Sequence, residues 1–212
     1  MADWRLKDRG ILPKSEICNL KSQGYTWVAG VDEAGRGALA GPVVAAAVIL
    51  PPRLKLEGLK DSKLLPPRRR EALYQAIQEK ALGIGVGTVE SKTIDALNIL
   101  RATLLAMERA IASLPFPPEF LLIDGRDAPR TSLPHRALPH GDDLCPSISA
   151  ASIIAKVYRD RIMNDYHLQF PQYGFARHKG YGTPEHLKAL ARYGPTSIHR
   201  LTFRRVMTRE LW

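Results

Sequence analysis

Apolar residues along the chain fall into a few blocks whose spacing separates strands from helices. Residues 1–25 hold no sustained period and read as a loosely ordered lead-in, with a short helix over 14–22. From Thr26 the chain turns almost continuously apolar or small, and it does so again over 39–50, "LAGPVVAAAVIL", as strands buried on both faces do. A proline-bounded connection follows, "PPRLKLEGLKDSKLLPP". Leu73, Ile77 and Ala81 then recur at helical spacing and predict a helix over 67–81. "LGIGVGTVE" (82–90) alternates apolar residues with glycine. It lacks the spacing and following helix of a dinucleotide-binding loop, and reads as a strand closely approached by a neighbour. Residues 93–113 carry the strongest helical pattern, with Ile94, Leu97, Leu104, Leu105 and Ala112 on one broad face. "EFLLIDG" is a short strand ending in Asp124, followed by a proline-containing loop. "SISAASIIAKVYRDRIMNDYHLQF" is a second long helix, beginning near Pro146-Ser147, where proline suits a first helical position. A last short helix fits 184–192 and a basic tail follows. This order predicts an α/β fold with a mixed central β-sheet flanked by α-helices.

Length and composition narrow the class. The 212 residues suit one domain with a sizeable core, and 45% hydrophobic and 25% charged residues are ordinary for a globular chain. No repeat, low-complexity tract or linker divides the sequence. The apolar run over 42–50 stops at Pro51-Pro52, short of a bilayer, and the mixed-charge opening "MADWRLKDRG" lacks the apolar core of a secretory signal. Cys18 and Cys145 form neither a metal spacing nor a disulfide framework. A cytoplasmic protein without membrane attachment is expected.

Charge adds a partner class. The formal net charge is +10, which favours a polyanion. Residues 177–212 hold eight Lys/Arg against two Glu, a net +6, so this segment is either a solvated face or a set of phosphate contacts.

Acidic residues stand where apolar strands end. Asp32 and Glu33 close the first strand, Asp124 ends "FLLI", and Asp142 lies in "HGDD" just before the Ser/Ala-rich helix. Sites in α/β sheets collect at strand ends, so these carboxylates are candidates for one cluster. Successive strand residues face opposite ways, so Asp32 and Glu33 share a site only if the strand breaks between them; Gly35 and Gly37 offer such a break. Two unit charges about 4 Å apart repel by roughly 4 kcal/mol at an effective dielectric near 20. Such a cluster therefore calls for raised pKa values or a divalent cation, and an all-oxygen set favours Mg²⁺ or Mn²⁺ over zinc. The alternative is that each acid caps a turn or pairs with an arginine, which is the reading taken for Asp127 and Asp143. His178, His186 and His199 lack helical metal spacing and read as surface or phosphate-adjacent residues. The run Ser149, Ala150, Ala151, Ser152 and Ala155 reads as a surface for close helix packing.

The segments "GVDEAGRG", "LAGPVVAAAV", "DSK", "IDALNILRAT", "LLIDG", "ISAASIIAKVYRD" and "HKGYGTPEH" resemble, in order from about 28 to 203, bacterial ribonuclease HII, the type 2 ribonuclease H family. The resemblance implies a ribonuclease H-like fold over residues 26–212. It also implies a metal-dependent endoribonuclease, working as a monomer with Mn²⁺ or Mg²⁺. Such an enzyme cuts the RNA strand of RNA–DNA hybrids and incises a DNA duplex containing ribonucleotides, as in ribonucleotide removal from DNA. By position, the family's catalytic and metal-binding acids fall on Asp32, Glu33, Asp124 and Asp142. Gly35, Arg36 and Gly37 match the loop that reads a 2′-hydroxyl, a chemistry in which glycine lets backbone approach a sugar. Tyr181 matches a sugar-stacking tyrosine and Lys63 a phosphate contact. The sequence departs from the family pattern at Ala38, Leu64, His140 and Thr202, none of them an expected metal ligand. A non-catalytic binding domain and a DNA-directed nuclease of the same superfamily are the competing readings; the four intact acids oppose the first, and the 2′-hydroxyl loop with Tyr181 opposes the second.

Overall fold

The structure, a computed structural model, describes residues 20, 24–52, 54, 56–59 and 66–207. Lys63, Cys18 and all but Leu20 of the helix expected over 14–22 lie outside the described residues. Among those described, five strands form one sheet: β1 (Val28–Ala34), β2 (Val43–Ile49), β3 (Gly83–Val89), β4 (Phe120–Asp124) and β5 (His135–Leu138), in the order β3-β2-β1-β4-β5. β1, β2 and β3 pair antiparallel, whereas β4 runs parallel to β1 and β5 parallel to β4. The mixed sheet expected from the sequence is present. β5, at the edge, falls in the stretch expected to be loop; only Leu138 of its four residues is buried, too little apolar signal to read.

Helices cover both faces. Around them run α1 (Pro67–Lys80), α2 (Ser91–Leu97), α3 (Ile99–Ala112), α4 (Gly141–Leu144), α5 (Pro146–Gln169), α6 (Phe175–His178) and α7 (Pro184–Tyr193). No described helix is long and apolar enough to cross a membrane. The single helix expected over 93–113 is two. Asn98 takes a left-handed φ of 70° between them, and its side chain accepts from Arg101 N–H to cap α3.

The buried stripe of α3 is also not the one expected. It comprises Ala102, Thr103, Ala106, Met107 and Ala110, while Leu104 and Leu105 are half-buried and Ala112 is exposed. The cause lies in β3. A Cβ on Gly85 would stand 2.1 Å from Ala110 O, and one on Gly87 2.1 Å from Ala106 O, so the helix backbone lies directly on the strand and only small residues fit between. α5 approaches the opposite face as closely, since a Cβ on Gly30 would meet the Ser147 carbonyl carbon at 2.1 Å. Its Ala150, Ala151, Ile154 and Ala155 complete a core with Val44, Ala46 and Val48 of β2. The small-residue run is a packing surface.

A third core joins Leu39, Ala40, Met163, Tyr173, Phe175, Leu190 and Ile198 beyond the sheet's end. His178, His186 and His199 are buried within this region rather than on the surface, correcting the expectation. Phe175 lies against all three rings and Tyr173 against His186 and His199, and the His178 ring stacks on His186 with centroids 4.5 Å apart. Burial pushes His186 and His199 each down to about 4 from the usual 6.5.

Two predictions follow from these contacts. Gly87→Ala should lower unfolding stability in urea by about 1–3 kcal/mol or more, because its methyl group meets backbone that cannot yield. Gly83→Ala, whose Cβ would meet only the edge of Pro115 at 3.2 Å, should cost less. Equal losses would show that α3 can slide away from β3. For the histidines, the unfolded chain takes up protons below pH 6.5 that the folded chain refuses until about pH 4. The stabilisation from neutral His199 is therefore full above that range and lost as pH falls. The stability difference between the wild type and His199→Gln should shrink over this fall in urea titrations. A constant difference would mean that His199 titrates normally in the fold.

Candidate active site

β1 and β4 deliver their carboxylates to one edge of the sheet. Their parallel register pairs Val31 with Ile123, so Asp32 and Asp124 come next, level with each other, at the ends of adjacent strands. Asp32 leaves β1 on the α5 face, and the Ser152 side chain of α5 hydrogen-bonds to it. The strand does not break between Asp32 and Glu33, as the sequence reading required. Its ladder to β2 continues through Asp32↔Ala46, Glu33↔Ala45 and Ala34↔Val44. Instead the Asp32 carboxylate turns over the strand end and accepts the Glu33 backbone N–H at 2.7 Å, while Glu33 pairs with Arg36 at 3.2 Å. Chain reversal comes two residues after Glu33, at Gly35, whose φ of +94° suits glycine.

Asp142 reaches the same edge through α4. The Asp124 carboxylate accepts Gly141 N–H at 2.7 Å, which fixes the start of α4 against the end of β4. Ser149 of α5 donates to the Asp142 carbonyl and, at 3.1 Å, to that of Cys145. Asp142 is only 1% exposed, whereas its neighbour Asp143 faces solvent. This difference in burial favours Asp142 as the member of the cluster.

At Asp32 and Glu33 the electrostatics follow chiefly from burial. Burial chiefly, then repulsion from Glu33 and Asp124, holds the Asp32 carboxyl well above the usual carboxylate range. Glu33 is also raised by burial, although Arg36 offsets part of the effect. Among the described residues no three acids, histidines or cysteines stand close enough together to enclose a metal ion. The donor set nevertheless matches a hard divalent cation: oxygens only, from residues that repel one another as they stand.

A cleft of about 220 Å³ opens beside the cluster, lined by Glu33, Gly35, Arg70, Ser152, Lys156 and Tyr181 among others. Tyr181 is 36% exposed, with the Arg159 guanidinium 5.4 Å and the Lys156 ammonium 5.8 Å from its ring centre. Arg36 extends into solvent, and a Cβ on Gly37 would meet nothing within 4 Å, so backbone is accessible there. Lys63 lies outside the described residues and has no place in this description.

Two arginines missed by the sequence reading fasten these parts together. Arg159 and Arg200 are both 0% exposed. Arg159 donates to the carbonyls of Ala40, Pro42 and Lys179 at 2.9–3.0 Å. Arg200 donates to Gly41 O at 2.9 and 3.0 Å and to Arg36 O at 2.9 Å. They join the Gly35–Arg36–Gly37 turn to the turn bearing Tyr181. Arg200 thus leaves the basic C-terminal segment as a phosphate contact, whereas Arg204 and Arg205 remain exposed. A signal lay in "AKVYRD", where an arginine stands within an otherwise apolar helical face, but nothing local shows that backbone carbonyls satisfy it.

Comparison with known proteins agrees with this architecture. Residues 29–206 match the ribonuclease HII family. Ribonuclease HII of Geotalea uraniireducens is 54% identical over 187 residues, covering 88% of this chain and 87% of the relative. That of Pelotomaculum thermopropionicum is 56% identical over 190 residues, covering 89% of this chain and 71% of the relative. The crystal structure of ribonuclease H2 from Pyrococcus horikoshii OT3 superimposes with a TM-score of 0.73 at 28% identity, covering 85% of this chain and 95% of the other. With its mixed sheet and its acids gathered at the ends of β1 and β4, the chain belongs to the ribonuclease HII family of metal-dependent endoribonucleases.

Proposed function

We propose that the chain hydrolyses the RNA strand of RNA–DNA hybrids and incises duplex DNA on the 5′ side of an embedded ribonucleotide, leaving 3′-hydroxyl and 5′-phosphate ends. The observation that carries this reading is that Asp32 lies near enough to Glu33 and Asp124 to be repelled by both, while Glu33 lines a cleft that Gly35 and Tyr181 also line. Asp32, Glu33, Asp124 and Asp142 would hold the cation. Two divalent ions, Mg²⁺ or Mn²⁺, would supply when bound an activated water and stabilisation of the leaving oxygen.

The chain's own groups do the positioning. Gly35, Arg36 and Gly37 present backbone and a guanidinium to the sugar that carries the 2′-hydroxyl, the group that distinguishes RNA from DNA. In the free protein Arg36 is paired with Glu33, so binding exchanges that ion pair for substrate contacts. Tyr181 offers its ring to the following deoxyribose. Lys156 and Arg70 line the cleft with positive charge that suits a phosphate backbone, and Arg204 and Arg205 extend it. Lys63 is proposed as a further phosphate contact on the family resemblance. Action as a monomer is proposed on the family resemblance. The same activity would serve ribonucleotide removal from DNA.

Asp124→Asn tests the site most cleanly, because its amide oxygen can still accept Gly141 N–H while the charge is lost. Cleavage should fall at least about a hundredfold, equivalent to roughly 2.7 kcal/mol, with duplex binding and the unfolding midpoint retained. Asp142→Asn should behave alike and Asp143→Asn should cleave normally. Chelating the divalent cation should abolish wild-type cleavage, and adding Mn²⁺ should restore it. Near-normal turnover of Asp124→Asn, or a dead Asp143→Asn beside an active Asp142→Asn, would show that the site is assigned wrongly.

A further inference from the structure

The buried histidines beneath Tyr181 are hydrogen-bonded in a line whose direction its two ends determine. At one end Thr196 backbone N–H, which can only donate, and the Thr196 hydroxyl, which can also donate, each stand 2.9 Å from His199 Nδ1. A neutral His199 then carries its proton on Nε2, which faces His186 Nε2 at 3.1 Å. His186 must accept there, so its own proton lies on Nδ1, 3.0 Å from the Tyr181 carbonyl, which can only accept. Both ends therefore require the same arrangement: Thr196 N–H to His199, His199 to His186, His186 to Tyr181 O. Protonating His186 would set two N–H groups head to head between the facing Nε2 atoms, and protonating His199 would set its Nδ1–H against the Thr196 N–H.

His178 is fixed by the same logic. Gly180 N–H donates to its Nδ1 at 3.2 Å, which leaves Nε2–H for the Tyr173 carbonyl at 2.7 Å. Gly180, with φ +82°, presses so closely on Ala40 O that a Cβ there would stand 2.5 Å away. The turn that carries Tyr181 is thus held from inside at Gly180 N, at Tyr181 O and, through Arg159, at Lys179 O.

We propose that His186 and His199 are positioning residues for Tyr181, forming a neutral, one-directional strut that runs from the Thr196 amide to the Tyr181 carbonyl and sets where the tyrosine ring stands in the cleft. The proposal rests on the reading of Tyr181 as the ring that meets a substrate sugar. Imidazole suits the task because it is the one neutral side chain that places an acceptor and a donor on opposite sides of a rigid ring. A Lys or Arg strut would instead bury a charge. The depressed pKa values of both rings accord with their neutral state near pH 7.

Two substitutions at one position separate the strut from simple core packing. An asparagine amide falls near Nδ1 and a glutamine amide near Nε2. His186→Asn therefore retains the bond to Tyr181, while His186→Gln retains the bond to His199. The quantity to measure is kcat/KM on a duplex with one embedded ribonucleotide, divided by that on a hybrid with an all-RNA strand. In the second substrate the sugar meeting Tyr181 carries its own hydroxyl and stacks less well. The ratio should fall about tenfold in His186→Gln, as expected when a stacking platform is displaced, and less than threefold in His186→Asn. Equal ratios in the two variants would overturn the strut.

A second measurement does not involve the substrate. Long-range ¹H–¹⁵N spectra of the wild type at pH 7 should show protons on Nδ1 of His186 and Nε2 of His199, and either opposite tautomer or an imidazolium would overturn the proposal. Tyr181→Ala, run beside these, keeps the two failures apart. If it lowers both substrates equally, the reading of Tyr181 falls even where the tautomers are as stated.

Discussion

Negative charge held out of water at the ends of β1 and β4 is the constraint around which the rest is arranged. Asp32 is carried to its place by a strand that is otherwise apolar and pinned on both sides, by β2 in one direction and β4 in the other. Burial makes ionising it there unfavourable and holds its pKa up, and among the described residues a Ser152 side-chain bond and the Glu33 backbone N–H oppose that effect. Asp124 and Glu33 add to the repulsion. A fold that gathers these groups gives up stability, and the cation proposed to bind them would restore it, since a ligand that binds only the folded form stabilises it. The extensive burial of β2, where Val43–Ile49 is 0% exposed throughout, offsets the penalty elsewhere.

The second requirement is to hold the turns proposed to face substrate beside that charge without adding acids to it. Arg159 and Arg200 meet it with backbone carbonyls alone. Each guanidinium is fully buried and takes its hydrogen-bond partners from turns far away in sequence, so neither draws a carboxylate away from the acidic strand ends. The strand-like contact of Ala40 with His199 and the Leu39 N–H bond to Gly180 O complete the same junction. The turn after β1 and the turn before α7 are therefore tied together, as the proposed reading of two successive sugars requires. Their shared anchor in the third core explains why a ring cluster of histidines, tyrosine and phenylalanine lies directly behind the cleft.

Strand periodicity and strand-end acids were readable from the residues, because burial on both faces leaves long apolar runs and a carboxylate interrupting one is conspicuous. β1, β2, β3 and β4, the long helix α5 and the glycine-mediated packing of β3 were all visible in this way. The face of α3 was not, since a leucine-based pattern points away from the alanines that closeness to Gly85 and Gly87 demands. The break at Asn98 depended on a left-handed φ stabilised by its own side chain, which an uninterrupted helical period conceals. His178, His186, His199 and Arg200 were assigned to the surface by residue type. Their burial is permitted by partners such as Thr196 N, Tyr181 O and Gly41 O, which only the tertiary fold brings together. The four expected acids, by contrast, needed the family resemblance to single out Asp142 over Asp143.

The central claim is that this acidic edge and its cleft read a ribonucleotide and cut beside it. The most direct measurement is product mapping on end-labelled duplexes that are identical except for one 2′-hydroxyl, with Mg²⁺ or Mn²⁺ present. The account predicts a single cut on the 5′ side of the ribonucleotide, ending in a 3′-hydroxyl and a 5′-phosphate, with the all-DNA duplex untouched. Cleavage of both duplexes alike, or of neither in the presence of either metal, would contradict it.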